Sequence, residues 1–140
     1  MNIKKHTKLF YGLGVFFMLI VPDQMTKTLA NEIFENYKFA FSLPVPLVFM
    51  YGIYFFSISV ILFYVYQNYQ KFFNYEKLAW GFILAGAVSN VGERIVLGFV
   101  RDWIYIYTGV FNLADGYIIL GVLILFIKSL LNTKKTKYEI

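Results

Sequence analysis

The sequence predicts an all-α membrane protein, a bundle of four transmembrane helices. Three observations carry that prediction. Hydrophobic residues make up 59% of the 140-residue chain and charged residues only 15%, against about half and about a quarter in soluble domains. The apolar residues fall in long blocks of about 20, not in amphipathic stripes, and such blocks match a hydrocarbon layer about 30 Å thick. The charges gather at the ends of those blocks and between them.

The first span is expected from about Leu9 to Ala30, with Asp23, Gln24 and Lys27 in its last turns. A second, about Leu47 to Tyr66, is entered through Pro44 and Pro46, which break the chain because proline lacks the N–H a helix interior needs. Gln67 to Lys77 reads as a polar loop. The third span covers about Leu78 to Gly98 and carries Asn90, Glu93 and Arg94 near its end. A polar and aromatic stretch follows to Phe111, with Trp103, Tyr105 and Tyr107 as an interfacial belt. The fourth span, about Asn112 to Leu131, runs into a Lys-rich tail. No repeat or linker interrupts residues 1–140, which read as a single polytopic domain. Met1 to Val21 has the outline of a secretory leader, but Asp23 and Lys27 put charge where a cleavage region is small and neutral, so the segment is expected to stay as a span.

Basic residues set the orientation. Nine of the 13 Lys and Arg residues fall on the side of the two termini and the loop between spans two and three; Lys27, Lys38, Arg94 and Arg101 fall on the other. Both termini are therefore expected in the cytoplasm. The basic tails read as anchors at anionic lipid, not as a nucleic-acid site. With no cysteine, disulfides, thiolate metal sites, S-acylation and a cysteine nucleophile are excluded. The one histidine, His6, lies in the basic N-terminal tail and reads as a headgroup-facing residue.

Ionisable groups inside a bilayer cost roughly 2.5–3.5 kcal/mol each on insertion scales, so they mark function by default. Here they cluster at the outward-facing span ends. Asp23 and Lys27 are four apart and share a helical face, a spacing that also suits a plain ion pair. Glu93 lies 16 residues beyond Lys77, a climb of about 24 Å. Asp115 lies 16 residues before Leu131, hence at a similar height on the neighbouring span. Two carboxyls in one dry site cannot both ionise, and such a pair can activate water with one member and protonate a carbonyl with the other. That chemistry needs no metal or other cofactor. Asp115, in the first turn of its helix, is favoured as the charged base, and Glu93 is expected to hold the shared proton. A salt bridge from Glu93 to Arg94 or Arg101 is the structural alternative, with Arg94 the poorer partner because adjacent residues diverge by about 100° on a helix. Gly81, Ala85, Gly86 and Ser89 form a small-residue face suited to close helix packing.

These residues resemble the motifs of the lipoprotein signal peptidase (signal peptidase II) family. Asp23-Gln24-Met25-Thr26-Lys27 resembles its Asp-Gln-x-Ser/Thr-Lys motif, and Asn36 with Ala40-Phe41 its Asn-x-Gly-x-Ala-Phe segment. Asn90-Val91-Gly92-Glu93-Arg94, Gly98 and Asp102 resemble its Asn-x-x-Asp-Arg, Gly and Val-Val-Asp pattern. Phe111-Asn112-Leu113-Ala114-Asp115, with Ile118 and Gly121, is similar to its Phe-Asn-x-Ala-Asp motif. The resemblance implies a small extracytoplasmic β-rich element and a short interfacial helix beside the four spans. It also implies an aspartic endopeptidase of the bacterial inner membrane that cuts diacylglyceryl prolipoproteins before the lipidated cysteine, acting as a monomer with its site toward the extracytoplasmic side. Its catalytic pair would be Glu93 and Asp115, with Asp23, Lys27, Asn36, Asn90, Arg94, Asp102 and Asn112 supporting or contacting substrate. The chain departs from the pattern at three places: Glu93 stands in place of one catalytic Asp, Lys38 replaces a glycine, and Arg101 replaces an apolar residue. A glutamate there admits a second reading, a weak or inactive relative that binds precursors. A third, a proton or ion conductor, conflicts with apolar inner halves such as Leu120 to Ile127.

Overall fold

In a computed structural model the backbone is described for residues 3–37 and 45–138, and side chains for 16–37 and 45–132. Four helices dominate: α1 (Ile3–Leu29), α2 (Leu47–Asn68), α3 (Asn74–Leu97) and α4 (Leu113–Tyr138). They match the four expected apolar segments, but α1, α3 and α4 each extend into the flanking polar chain. Pro22 is carried inside α1. Among the described residues, Leu47–Asn68 and Leu113–Asn132 are long and apolar enough to cross a membrane. In α2 only Met50 is buried, and Val48, Phe49, Phe56 and Phe63 lie exposed along it. Apolar surface on that scale suits a lipid-facing helix.

Residues 99–111, read from sequence as a polar and aromatic stretch, fold into short strands. β1 (Phe34–Asn36) follows α1, and β2 (Val100–Asp102), β3 (Ile104–Ile106) and β4 (Gly109–Phe111) join α3 to α4. β1 and β2 pair antiparallel with Phe34 opposite Asp102 and Asn36 opposite Val100; β3 and β4 form a separate hairpin. No fifth helix occurs among the described residues, so the short interfacial helix is not among these elements. Lys38, Ala40, Phe41 and Pro44 lie outside the described residues, as do the side chains of His6 and the basic tails.

The packing core is α3 on α4, with α1 laid across both. Small residues let the α3 and α4 backbones close. A Cβ at Gly86 would run into the Ala114 carbonyl oxygen, and one at Gly121 into that of Ala79. Ala79 and Ala114 are themselves fully buried. The two contacts lie two turns apart on each helix, a seven-residue repeat that keeps one face toward its neighbour. Gly81, grouped with this face from the sequence, instead points into open space; Ala85, Gly86 and Ser89 do the packing.

Gly98 ends α3. It caps the helix at φ 84°, and its N–H bonds to the Arg94 carbonyl at 3.0 Å. Left-handed backbone of this kind is natural to glycine. The reversal sends β2 back over the end of α3, so Arg101 lands beside Glu93 of the last helical turns.

Candidate active site

At the β-strand end of the bundle, Asp23, Lys27, Asn90, Glu93, Asp102 and Asn112 are all buried, and Asp115 joins them from α4. Asp23 and Lys27 form the expected i,i+4 ion pair at 2.8 Å, with neither side chain exposed at all. Lys27 does more than close its own helix. Its Nζ also meets Glu93 Oε2 at 2.9 Å and Asn90 Oδ1 at 2.9 Å. Asp23 ties three elements together: its Oδ1 accepts the Ala114 N–H at 2.9 Å, and its Oδ2 accepts the Ser89 hydroxyl at 2.6 Å. Buried charges are tolerable only when paired and hydrogen-bonded in this way.

Asn112 explains the spacing of the Phe-Asn-Leu-Ala-Asp segment. It precedes α4, and its Oδ1 accepts the Asp115 N–H at 3.0 Å while Asp115 Oδ2 accepts the Asn112 N–H at 3.1 Å. This reciprocal arrangement is a capping box. It aims the Asp115 carboxylate at the helix N-terminus, where the dipole favours negative charge. The other Asp115 oxygen accepts Asn90 Nδ2 at 2.9 Å. Asn90 therefore spans Lys27 and Asp115.

The same Asn112 side chain donates its Nδ2 to Asp102 Oδ1. Asp102 Oδ2 takes Asn36 Nδ2 at 2.9 Å, which gives the β1–β2 pairing its purpose. One asparagine thus hydrogen-bonds both Asp102, through its side chain, and Asp115, through its backbone N–H. Burial, foremost, pushes the Asp102 carboxyl above the ordinary carboxylate range; hydrogen bonds from Asn36 and Asn112 and the charge of Lys27 oppose this, and the nearby charge of Asp115 adds to it.

Glu93 is engaged elsewhere. Its Oε1 meets Arg101 Nε at 2.6 Å, and its Oε2 takes Lys27 and, at 3.2 Å, the Arg101 backbone N–H. The structure does not join Glu93 directly to Asp115, as the sequence reading expected; the two connect through Lys27 and Asn90. The physical reason is two cations on one carboxylate, a far stronger demand than a shared proton with a second acid. Arg94 reaches α2: its guanidinium lies 5.6 Å from the centre of the Tyr54 ring, and its carbonyl accepts the Tyr51 hydroxyl at 2.8 Å.

One participant escapes the sequence reading. Ser89, assigned to packing, is a ligand of Asp23, as its place one turn before Glu93 on α3 allows. Arg101, offered by the sequence as a salt-bridge partner of Glu93, also donates to Gln24 Oε1 at 3.0 Å and Thr28 Oγ1 at 3.2 Å, bracing α1.

A helical scaffold with exposed apolar helices and a dry cluster of four carboxyls at one end belongs to the class of membrane-type proteins with acid–base equipment. Comparison with known proteins narrows this. A family profile described as Signal peptidase (SPase) II matches residues 15–131, and the chain belongs to that family. It is 34% identical over 115 residues to the lipoprotein signal peptidase of Streptococcus thermophilus, covering 80% of this chain and 67% of that one. The Enterococcus faecalis lipoprotein signal peptidase is 33% identical over 94 residues, 65% of this chain and 58% of the relative. For the Sinorhizobium fredii protein the figures are 38% over 68 residues, 45% and 41%. The chain thus spans about two fifths to two thirds of the length of these relatives. Two solved bacterial membrane enzymes share the fold, with TM-scores of 0.72 and 0.71 at 19% and 18% identity; the first covers 89% of this chain and 90% of its own, the second 86% and 92%.

Proposed function

We propose that this chain is an aspartic-type intramembrane endopeptidase that removes signal peptides from diacylglyceryl-modified prolipoproteins, cutting before the lipidated cysteine. Its four helices span the bacterial inner membrane as one domain, with both termini cytoplasmic and the acid cluster toward the extracytoplasmic side. The chain acts as a monomer and meets its substrate within lipid. Membership of the family and the basic-residue asymmetry of the loops support this reading. The observation that carries the chemistry is Asn112, which bonds to Asp102 and Asp115 at once.

We assign the acid pair to Asp102 and Asp115, with Glu93 as a supporting group. Asp115, at a helix N-terminus whose dipole favours negative charge, is the ionised base; Asp102, in its buried strand, carries the proton. A water between them gives a proton to Asp115 as its oxygen attacks the scissile carbonyl carbon, and Asp102 protonates the carbonyl oxygen. The resulting tetrahedral diol collapses as Asp115 passes its proton to the departing amine nitrogen and a diol hydroxyl returns one to Asp102. Both acids end as they began. Low polarity around the site strengthens these charge–dipole interactions. Because Glu93 stands outside this pair, a glutamate at that position is no argument for inactivity.

The test is cleavage of a diacylglyceryl prolipoprotein by the purified protein in lipid. Wild type is expected to release the signal peptide, and Asp102→Asn and Asp115→Asn are each expected to lose at least about 100-fold in kcat. Undiminished cleavage by Asp102→Asn contradicts the assignment of the pair.

A further inference from the structure

Glu93 and Arg101 are two of the positions at which the chain departs from the family pattern, and they touch each other. Arg101 is the residue immediately before Asp102 on β2. Glu93 grips it twice, by the guanidinium Nε at 2.6 Å and by the backbone N–H at 3.2 Å. The backbone bond fixes the height of β2 against the last turns of α3. The guanidinium reaches on to Gln24 and Thr28 of α1, so the same strand is held from two helices. Lys27 anchors the other end of the carboxylate at 2.9 Å.

We propose that Glu93 and Arg101 are a matched positioning pair that sets where the Asp102 carboxyl meets Asp115, so that the two departures amount to a single change. The longer acid reaches an arginine fork that an aspartate would miss by about one methylene, and the arginine supplies a second cation on a carboxylate that is only 3% exposed. Neither residue touches the reacting atoms. Each acts through the placement of β2, whose Asp102 is faced by Asn36 from β1, Lys27 from α1, and Asn112 and Asp115 from the start of α4. This inference rests on the functional reading above, and its test is built so that the two can fail separately.

Cleavage kinetics of Glu93→Asp, Arg101→Leu and the double variant form a mutant cycle. Displacing an acid by about 1 Å costs up to about 100-fold in rate, so each single change is expected to lower kcat about 10- to 100-fold with KM within about threefold of wild type. The double variant is expected to recover most of that loss, to within about fivefold of wild type. Losses that simply multiply in the double variant overturn the pairing. Should Arg101→Leu fail to fold, Arg101→Lys, which keeps the charge but not the planar fork, takes its place and is expected to fall short like the leucine. A second readout needs no activity: amide hydrogen exchange at Arg101 and Asp102 in lipid nanodiscs is expected to quicken about tenfold in Glu93→Asp. Unchanged exchange overturns the positioning role even in an active enzyme, whereas quickened exchange in a protein that never cuts leaves the pair standing and removes the function instead.

Discussion

The two ends of α3 each bury a carboxylate against a lysine, yet they are built differently. At the end distant from the strands, Glu76 accepts the Phe73 N–H at 3.0 Å and forms an ion pair with Lys128 of α4. Lys128 is 32% exposed, and the pair sits on the wall of a cavity of about 400 Å³ beside Tyr64, Phe72 and Trp80. One acid meets one base there, within reach of the surface. At the other end, Asp23, Glu93, Asp102 and Asp115 share Lys27 and Arg101, and Lys27 is not exposed at all. The first arrangement balances its charge and fastens two helices. The second leaves acid in surplus over base in a dry place, the condition under which a carboxyl keeps its proton and becomes useful. The contrast separates an ion pair that fastens helices from a cluster whose surplus of acid suits the proposed chemistry.

The largest effect that would sharpen this contrast is on catalysis. Asp115→Asn is expected to abolish detectable cleavage while Glu76→Gln leaves kcat within about threefold of wild type, since removing a general acid or base costs about 100- to 10,000-fold. Next is stability. Lys27→Met strands Asp23 and Glu93 without their common cation, and breaking a buried ion pair from one side costs about 3–5 kcal/mol. Lys128→Met, at the pair nearer the surface where Glu76 keeps the Phe73 N–H, is expected to cost less, about 1–3 kcal/mol. Thermal unfolding in detergent compares the two, and equal losses would erase the distinction between the ends.

Packing gives a smaller pair of effects. Gly86→Val drives a side chain into the Ala114 carbonyl and is expected to destabilise by about 1–3 kcal/mol, displacing Asp115 and lowering cleavage with it. Gly81→Ala meets nothing within 4 Å and is expected to be neutral or slightly stabilising, as alanine favours the helix.

The smallest effect is on pH dependence. Asp102 sits above the ordinary carboxylate range in the folded protein, so the folded state binds that proton more tightly than the unfolded chain does. Its contribution to stability is complete below the ordinary range and is lost as pH rises through the raised value. Unfolding measured across mildly acidic pH should show this decline in wild type and a flatter profile in Asp102→Asn.

Much of this was legible in the sequence because apolar blocks and their charged ends survive folding unchanged. Asp23 and Lys27 share a face by spacing alone, and the matched depths of residues 93 and 115 follow from helical rise. The partner of Asp115 was not legible. Three-residue strands are too short to show a period of two, so nothing in residues 99–111 announced that β2 folds back over α3. That reversal depends on the left-handed turn at Gly98, and it brings Asp102 to Asn112 while handing Arg101 to Glu93. Depth along a helix identified an acid near Asp115 but not which acid faced it. Ser89 was hidden for a related reason: small residues that pack and small residues that donate look alike in a sequence.

The pairing of Asp102 with Asp115 is tested most directly by infrared difference spectroscopy of the protein in lipid, following the protonated carboxyl band in wild type, Glu93→Gln and Asp102→Asn. The band is expected to persist in Glu93→Gln and to vanish in Asp102→Asn. A band lost with Glu93→Gln and retained in Asp102→Asn would contradict the account and return the proton to the third helix.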